Sequence, residues 1–421
     1  MLPPLGSEAT RSAELRATWA IAAMSAAGLC GTFLLRPLRD QFGIDQGTAQ
    51  LPWLYSLTLL ATVVAVVPFW WLANRMPSRR FVPIVLHVCA ALIAALAIGL
   101  SLMGDYAWRE QQWLGELFWG GFSALNVAVP ALAWIHAVEH FRPEAARRRF
   151  GWIAIGATLG AVTGLALAGW LAKDLEAPPW VGALLAAGLL EVAFVAFLVS
   201  LRPCRELGTA RQEVARGGLI EGLRVLATDR RALGIGCYMM LLGMLATAFY
   251  AAQTSLVGAE IAGARNQHVW LASVEFWSQS LVLLLQLFAT GVLLTRMPAA
   301  VLLVSLPVVS IVGLGALWLA PAVLTMQLVQ IGRRGAQYAF EKPAREVLYT
   351  PLALATKHKV KFLLDTFAFR LGDLLGAFLA VWLQRPGAGL GASVLAAMGV
   401  AVVWIVLGIA LGRNARSARA A

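Results

Sequence analysis

Long apolar stretches, each close to the length that crosses a bilayer, alternate with short basic connections along this chain. A spanning helix needs about 20 such residues, and it must satisfy its own backbone hydrogen bonds where there is no water. The stretches fall near residues 17–35, 51–73, 81–103, 112–138, 150–171, 180–201, 231–253, 269–294, 299–319, 321–341, 362–383 and 389–411. Composition agrees. The chain is 60% hydrophobic and 13% charged, whereas soluble domains carry about 25% charged residues. The expectation is an all-α membrane protein with about twelve transmembrane helices.

A formal net charge of +12 does not point to nucleic acid, because the basic residues sit in short loops between apolar runs. Arg11, Arg16, Arg75, Arg79, Arg80, Arg142, Arg147 to Arg149, the 202–231 segment, Arg296, the Lys342–Lys361 turn and Arg413 to Arg419 fall on one side. Arg36, Arg39, Arg109, Lys173, Arg265 and Arg385 fall on the other. Loops rich in Lys and Arg stay in the cytoplasm. Both termini are therefore expected there. The N-terminal apolar run is long for a signal-peptide core and reads as a retained helix.

The longest polar loop divides the helices six and six. The expected organisation is a tail over 1–16, a six-helix bundle over 17–201, a linker over 202–230, a second bundle over 231–411 and a tail over 412–421. The halves resemble each other. Asn74-Arg75-Met76-Pro77 after the second helix matches Thr295-Arg296-Met297-Pro298 after the eighth. Arg142-Pro143 after the fourth matches Lys342-Pro343 after the tenth. Gly156, Gly160 and Ala161 in the fifth match Gly372, Gly376 and Ala377 in the eleventh. Parallel repeats with a site near the midplane are the plan of major-facilitator transporters, so a six-plus-six pseudo-repeat of that kind is expected.

Charges inside the apolar runs are the candidate functional residues, since a charge at the bilayer centre costs about 2.5–3.5 kcal/mol. Arg36 and Arg39 close the first helix beside Asp40. They either snorkel to headgroups or offer planar forks of donors to phosphate or carboxylate. Glu116 lies inside the fourth run, with Arg36 and Arg39 as its expected partners and Asn126 further along. Glu191 in the sixth reads as an interhelical hydrogen bond. Glu275, Gln279 and Gln286 form one polar stripe in the eighth. In the tenth, Gln327, Gln330, Arg334 and Gln337 share a face, with Tyr338 following. That spacing points Arg334 inward and lets Arg333 reach toward the cytoplasm. Arg370 and Asp373 are three apart in the eleventh and can neutralise each other.

One motif has enzymatic associations. His136-Ala137-Val138-Glu139-His140 matches the H-x-x-E-H pattern of inverted zinc peptidases. A zinc ion there needs a third ligand, and no later carboxylate is singled out for the role. The cysteines Cys30, Cys89, Cys204 and Cys237 form no CxxC pair, so they indicate neither a disulfide framework nor a zinc site. No Walker A, GxSxG or GxGxxG pattern supports catalysis, and no cofactor is implied.

Three stretches carry a family resemblance. They are Arg36-Pro37-Leu38-Arg39-Asp40, Glu116 within Gly115-Glu116-Leu117-Phe118-Trp119, and Tyr338 through Arg345 and Glu346 to Leu352. Lys357, Lys359, Lys361, Asp365, Arg370, Gly372, Asp373 and Gly376 continue the third. Together they resemble the ATP/ADP translocase family of plastids and intracellular bacteria, and more closely its free-living bacterial relatives, the NTP/NDP exchange transporters. The resemblance implies exchange of a nucleotide by alternating access, without hydrolysis, across a bacterial inner membrane. It places functional residues at Arg39, where the family has Lys, at Glu116, and at Arg345. Asp373 stands where the family has another Lys, and the family's seventh-helix glutamate has no clear counterpart beside Gln253 or Glu260. The expected partners are a small anionic substrate and the lipid bilayer, with the chain acting as a monomer. Two rival functions remain open: a proton-coupled carrier using Glu116 or Glu275, and a membrane zinc peptidase at His136-Glu139-His140.

Overall fold

The computed structural model describes residues 8–104, 111–208, 224–226, 228–349, 360–361, 363–383 and 390–420. Every regular element among them is helical. The first six are α1 (Glu8–Gln46), α2 (Leu51–Arg75), α3 (Ser78–Met103), α4 (Gln112–His140), α5 (Pro143–Lys173) and α6 (Pro179–Leu207). Next come α7 (Arg230–Glu260), α8 (Ala264–Leu285), α9 (Gly291–Arg296) and α10 (Ala299–Leu319). The last four are α11 (Val323–Ala336), α12 (Lys342–Leu348), α13 (Phe369–Leu383) and α14 (Leu390–Ala420). A π-helical turn joins α8 to α9 at Gln286–Thr290 and another joins α11 to α12 at Gln337–Glu341. A third precedes α13 at Leu364–Ala368. Residues 1–7, most of the 202–230 linker, Arg109, Arg385 and the 350–359 stretch with Lys357 and Lys359 lie outside the described residues.

Ten helical segments among the described residues are long and apolar enough to cross a membrane. The two other apolar stretches of the sequence, 321–341 and 362–383, are helical from Val323 to Glu341 and over the described part of the second. Their uninterrupted helices, α11 and α13, run only 14 and 15 residues. A π turn adds a residue to one turn and opens the regular ladder there, often at functional sites. These are the stretches that carry Arg333, Arg334, Arg370 and Asp373. Elsewhere the outward faces are large and apolar. Leu319 is 84% exposed and Leu102 81%, as a lipid-facing surface requires.

Local chemistry sets the helix ends. Gly47 takes φ +74 after α1, a conformation that costs a side-chain-bearing residue strain. Pro77 and Pro298 are the residues before α3 and α10, and both are extended, with ψ 152 and ψ 141. The Met-Pro pairs that match in sequence therefore make matching helix breaks.

The chain forms two compact units. One comprises Met1–Phe42, Leu60–Val214 and Ala264–Phe276, and the other Gly43–Leu59, Ala215–Gly263 and Trp277–Ala421. Within the first, α3 packs along α6. Within the second, α10 packs along α14 and α7 along α13. The glycine rows explain the closest approaches. A methyl on Gly156 would lie 2.8 Å from the Ala22 carbonyl oxygen of α1, and Gly160 and Gly164 meet Ala26 and Cys30 in the same way. In the second unit Gly376 and Gly372 meet the backbone of Met244 and Met240 on α7. Small residues at four-residue spacing let helix backbones touch where lipid supplies no hydrophobic drive.

Candidate functional site

In the first unit, charge gathers in the last third of α1, which runs on to Gln46 and so corrects the expectation that Arg36 and Arg39 close the first helix. Arg36 and Arg39 are one turn apart on α1, so both guanidinium groups reach the same neighbourhood. Arg36 Nε lies 3.4 Å from Glu275 Oε2 on α8, and Glu275 is buried. Arg39 Nη1 donates to Asp40 Oδ1 at 2.6 Å, and its guanidinium lies 3.4 Å over the Trp119 ring of α4. The face of an indole attracts a cation, and more so where water is excluded. Gln41 Nε2 donates to Gln267 Oε1 at 2.7 Å. These contacts tie α1 to α4 and α8 through two cations, two carboxylates and two amides. Glu116, one turn before Trp119, is half-buried and accepts from Gln112 Nε2 at 2.9 Å. Asn126, two turns beyond Trp119, is half-buried on the same helix.

The second unit holds a polar chain across α7, α11 and α10. Gln330 Nε2 donates to Gln253 Oε1 at 2.8 Å, and Arg333 Nη1 donates to Gln330 Oε1 at 3.1 Å. Arg333 Nε donates to Ser310 Oγ at 3.2 Å, and its guanidinium lies 3.9 Å over the Phe249 ring. Arg333 is 6% exposed and Arg334 half-buried. Burial of Arg333 corrects the expectation that it reaches toward the cytoplasm. The i+3 and i+4 positions after Gln330 straddle the same helical face, so periodicity does not separate them. Ser310 and Phe249, on other helices, decide it.

Also against α7, Arg370 Nη1 donates to Asp373 Oδ2 at 3.1 Å, and Thr247 Oγ1 donates to Asp373 Oδ1 at 3.3 Å. The Asp373 carboxylate is thus buried between an arginine and a hydroxyl. Arg345, expected near a loop, is buried. Its Nε lies 3.4 Å from Glu341 Oε1, and Nη1 meets Met239 Sδ. Gln279 is buried on α8, and Gln337 and Tyr338 are half-buried in the π turn after α11. Sequence reasoning missed Gln41, Gln267, Ser310, Phe249 and Glu341. Glutamine and glutamate inside an apolar run are visible signals, whereas serine and phenylalanine there are not.

The H-x-x-E-H segment closes α4. Its Glu139 Oε2 accepts from the Ser78 backbone N–H at 2.9 Å, which caps one of the open donors at the start of α3. His136 is fully buried beside Ser78, Ser200 and Cys204. Glu191, as expected, forms an interhelical bond, at 2.9 Å to His87 of α3.

The sequence profile of the Major Facilitator Superfamily matches residues 16–334. No curated protein matches the chain in sequence. Among solved structures, the nucleoside transporter NupG is similar at TM-score 0.61 and 16% identity, over 94% of this chain and 98% of that one. A bacterial homologue of the human lysosomal transporter Spinster, inward-facing and unoccupied, is similar at TM-score 0.59 and 14% identity, over 98% of each chain. At these identities the likeness is one of fold.

Proposed function

The chain belongs to the major facilitator superfamily of secondary transporters, and on that premise we propose that it carries an anionic solute by alternating access, with nucleotides in exchange as the first class. The observation that carries this reading is the Arg36–Glu275 pair, set 3.4 Å apart within apolar helices. That separation is ion-pair contact rather than a short charge-assisted hydrogen bond of about 2.7–2.9 Å. A phosphate or carboxylate entering beside Arg36 can compete with Glu275 for the guanidinium, since the fork of an arginine suits either anion. On this reading Arg36, Arg39, Arg334 and Arg370 meet substrate charge. Glu116, Asn126, Glu275, Gln279, Gln337, Tyr338, Arg345 and Asp373 line or gate its route. The resemblance to the ATP/ADP translocases and the fold likeness to a nucleoside transporter support nucleotides as the class. The setting we propose is a bacterial inner membrane with both termini cytoplasmic, the protein acting as a monomer of two six-helix halves, 17–201 and 231–411.

A second reading has its own observation. Glu275 and Asp373, in different units, are both buried carboxylates held by an arginine. Protonating either would release its arginine, the arrangement a proton-coupled carrier of another anion or a drug-like solute needs. Hydrolysis has no such support, because the superfamily's members are transporters.

Counterflow in proteoliposomes tests the choice. Labelled ATP is supplied outside, with ADP, phosphate or nothing inside. Uptake that requires internal nucleotide establishes exchange. Absence of nucleotide uptake under every loading overturns it, and uptake of another anion driven by a pH gradient selects the second reading.

A further inference from the structure

Three helix ends of the first unit meet around one imidazole. His136 Nδ1 lies 2.8 Å from Ser78 Oγ, at the start of α3. Its Nε2 lies 2.9 Å from Ser200 Oγ and 3.6 Å from Cys204 Sγ, both on the last turns of α6. His140, one turn further along α4, places Nδ1 2.9 Å from the His136 carbonyl oxygen. A carbonyl only accepts, so this nitrogen carries the proton, and in the neutral ring Nε2 is the nitrogen that offers a lone pair. One donor atom from each of His136, His140 and Cys204 lies within 4.8 Å of the others. No other such trio of His, Cys, Asp or Glu occurs among the described residues.

We propose that His136, His140 and Cys204 form a three-donor site for a divalent cation of the zinc class, and that the bound ion ties the C-terminal ends of α4 and α6 together. Donor chemistry is the first argument. Two imidazoles and a thiolate suit zinc or cobalt and do not suit the hard cations magnesium and calcium, which take oxygen. Spacing is the second. Zinc–nitrogen and zinc–sulfur bonds of about 2.1 and 2.3 Å in a tetrahedron put the two donors about 3.5 Å apart. His136 Nε2 and Cys204 Sγ are 3.6 Å apart.

The outer contacts supply a third argument. Metal-bound histidines hold their second nitrogen to a carbonyl, carboxylate or similar acceptor, which fixes the ring and its tautomer. His140 does this through the His136 carbonyl, and His136 Nδ1 has Ser78 Oγ in reach. Ser78 is itself anchored, its backbone N–H donating to Glu139. On binding, the metal takes the place of Ser200 at His136 Nε2. Ser200 keeps its 2.6 Å bond to the Phe197 carbonyl. Cys204 gives up its proton on coordination. Cys204 belongs to a buried cluster with Ala133, Ala137 and Phe141, and the Phe197 ring centroid lies 4.9 Å from that of His136.

The ion's role is to join helices. Glu139, which would serve as general base in a peptidase, is occupied by the α3 backbone. The site stands independently of which solute the protein carries.

Untagged protein, purified in detergent, is loaded with zinc, passed through a desalting column and analysed for metal. The expected result is about one zinc per chain. Cobalt is then titrated into zinc-free protein. A thiolate–cobalt charge-transfer band in the near ultraviolet is expected for the wild type, together with a higher thermal midpoint. Both are expected to be lost in Cys204→Ser and reduced at least tenfold in apparent affinity in His140→Gln. Zinc at background in folded wild-type protein, with no charge-transfer band, overturns the proposal. So does a cobalt spectrum that is the same in Cys204→Ser. The wild-type titrations decide the matter even where a variant fails to fold.

Discussion

Gly160 of α5 meets the Ala26 carbonyl oxygen of α1 with no room for a methyl group between them. Gly372 of α13 stands in the same relation to Met240 of α7. Each glycine is what lets its helix lie against the first helix of its half, so a side chain there must push two helices apart. Gly160→Val and Gly372→Val are expected to destabilise the protein by about 1–3 kcal/mol, the usual cost of overpacking, or more. Thermal unfolding in detergent measures this. Gly188→Ala, at a position with open space around it, is the control and should match or slightly exceed the wild type, since alanine favours helix over glycine.

Arg36 and Glu275 separate binding from coupling. Arg36→Ala is expected to reduce counterflow about tenfold to a hundredfold, because a hydrogen bond to a charged group is worth about 1.5–3 kcal/mol. Arg36→Lys should recover only part of that, since an ammonium cannot offer the planar fork. If the carrier is a strict exchanger, Glu275→Gln should leave exchange unaffected by a pH gradient. A wild-type dependence on the gradient that Glu275→Gln removes would assign proton coupling to that carboxylate.

Arg333 and Arg334 are neighbours in sequence with different expected phenotypes. Arg333 is buried on Ser310, Gln330 and Phe249. Its replacement by alanine leaves a cavity and removes the donor that Ser310 and Gln330 accept from, and should cost about 2–5 kcal/mol. Arg334→Ala should leave the thermal midpoint within a few degrees of the wild type while lowering counterflow. Equal loss of stability in the two variants would contradict this assignment.

Glu139→Ala tests the reading of the H-x-x-E-H segment as a helix cap. Loss of a side-chain acceptor at a helix start typically costs about 1 kcal/mol. A modest drop in thermal midpoint, with no peptide hydrolysis by the wild type or the variant, is the expected outcome. Hydrolysis that disappears with Glu139 would restore the enzymatic reading.

Much of the fold could be read without coordinates. Apolar runs of bilayer length allow only helices here, because an unbonded backbone polar group in hydrocarbon costs several kcal/mol. Met76-Pro77 and Met297-Pro298 announced their helix breaks, since proline fixes φ and disfavours helical geometry in the residue before it. The rows Gly156–Gly160–Gly164 and Gly372–Gly376 announced close helix contacts, though not against which helix. In the sequence the candidate site reads as charges out of place, and Arg36, Glu275, Arg370 and Asp373 all lie in charged contacts. Pairing was less legible. Nothing in the spacing of Arg36 and Glu275 joins them, and nothing in a search for a third carboxylate leads from His136 to Cys204. Helical periodicity says which residues share a face, and that is a local property of one helix. Which face of which other helix lies opposite is set by how the helices pack. Residues far apart along the chain, such as Phe249, Ser310 and Arg333, then become neighbours through the fold alone.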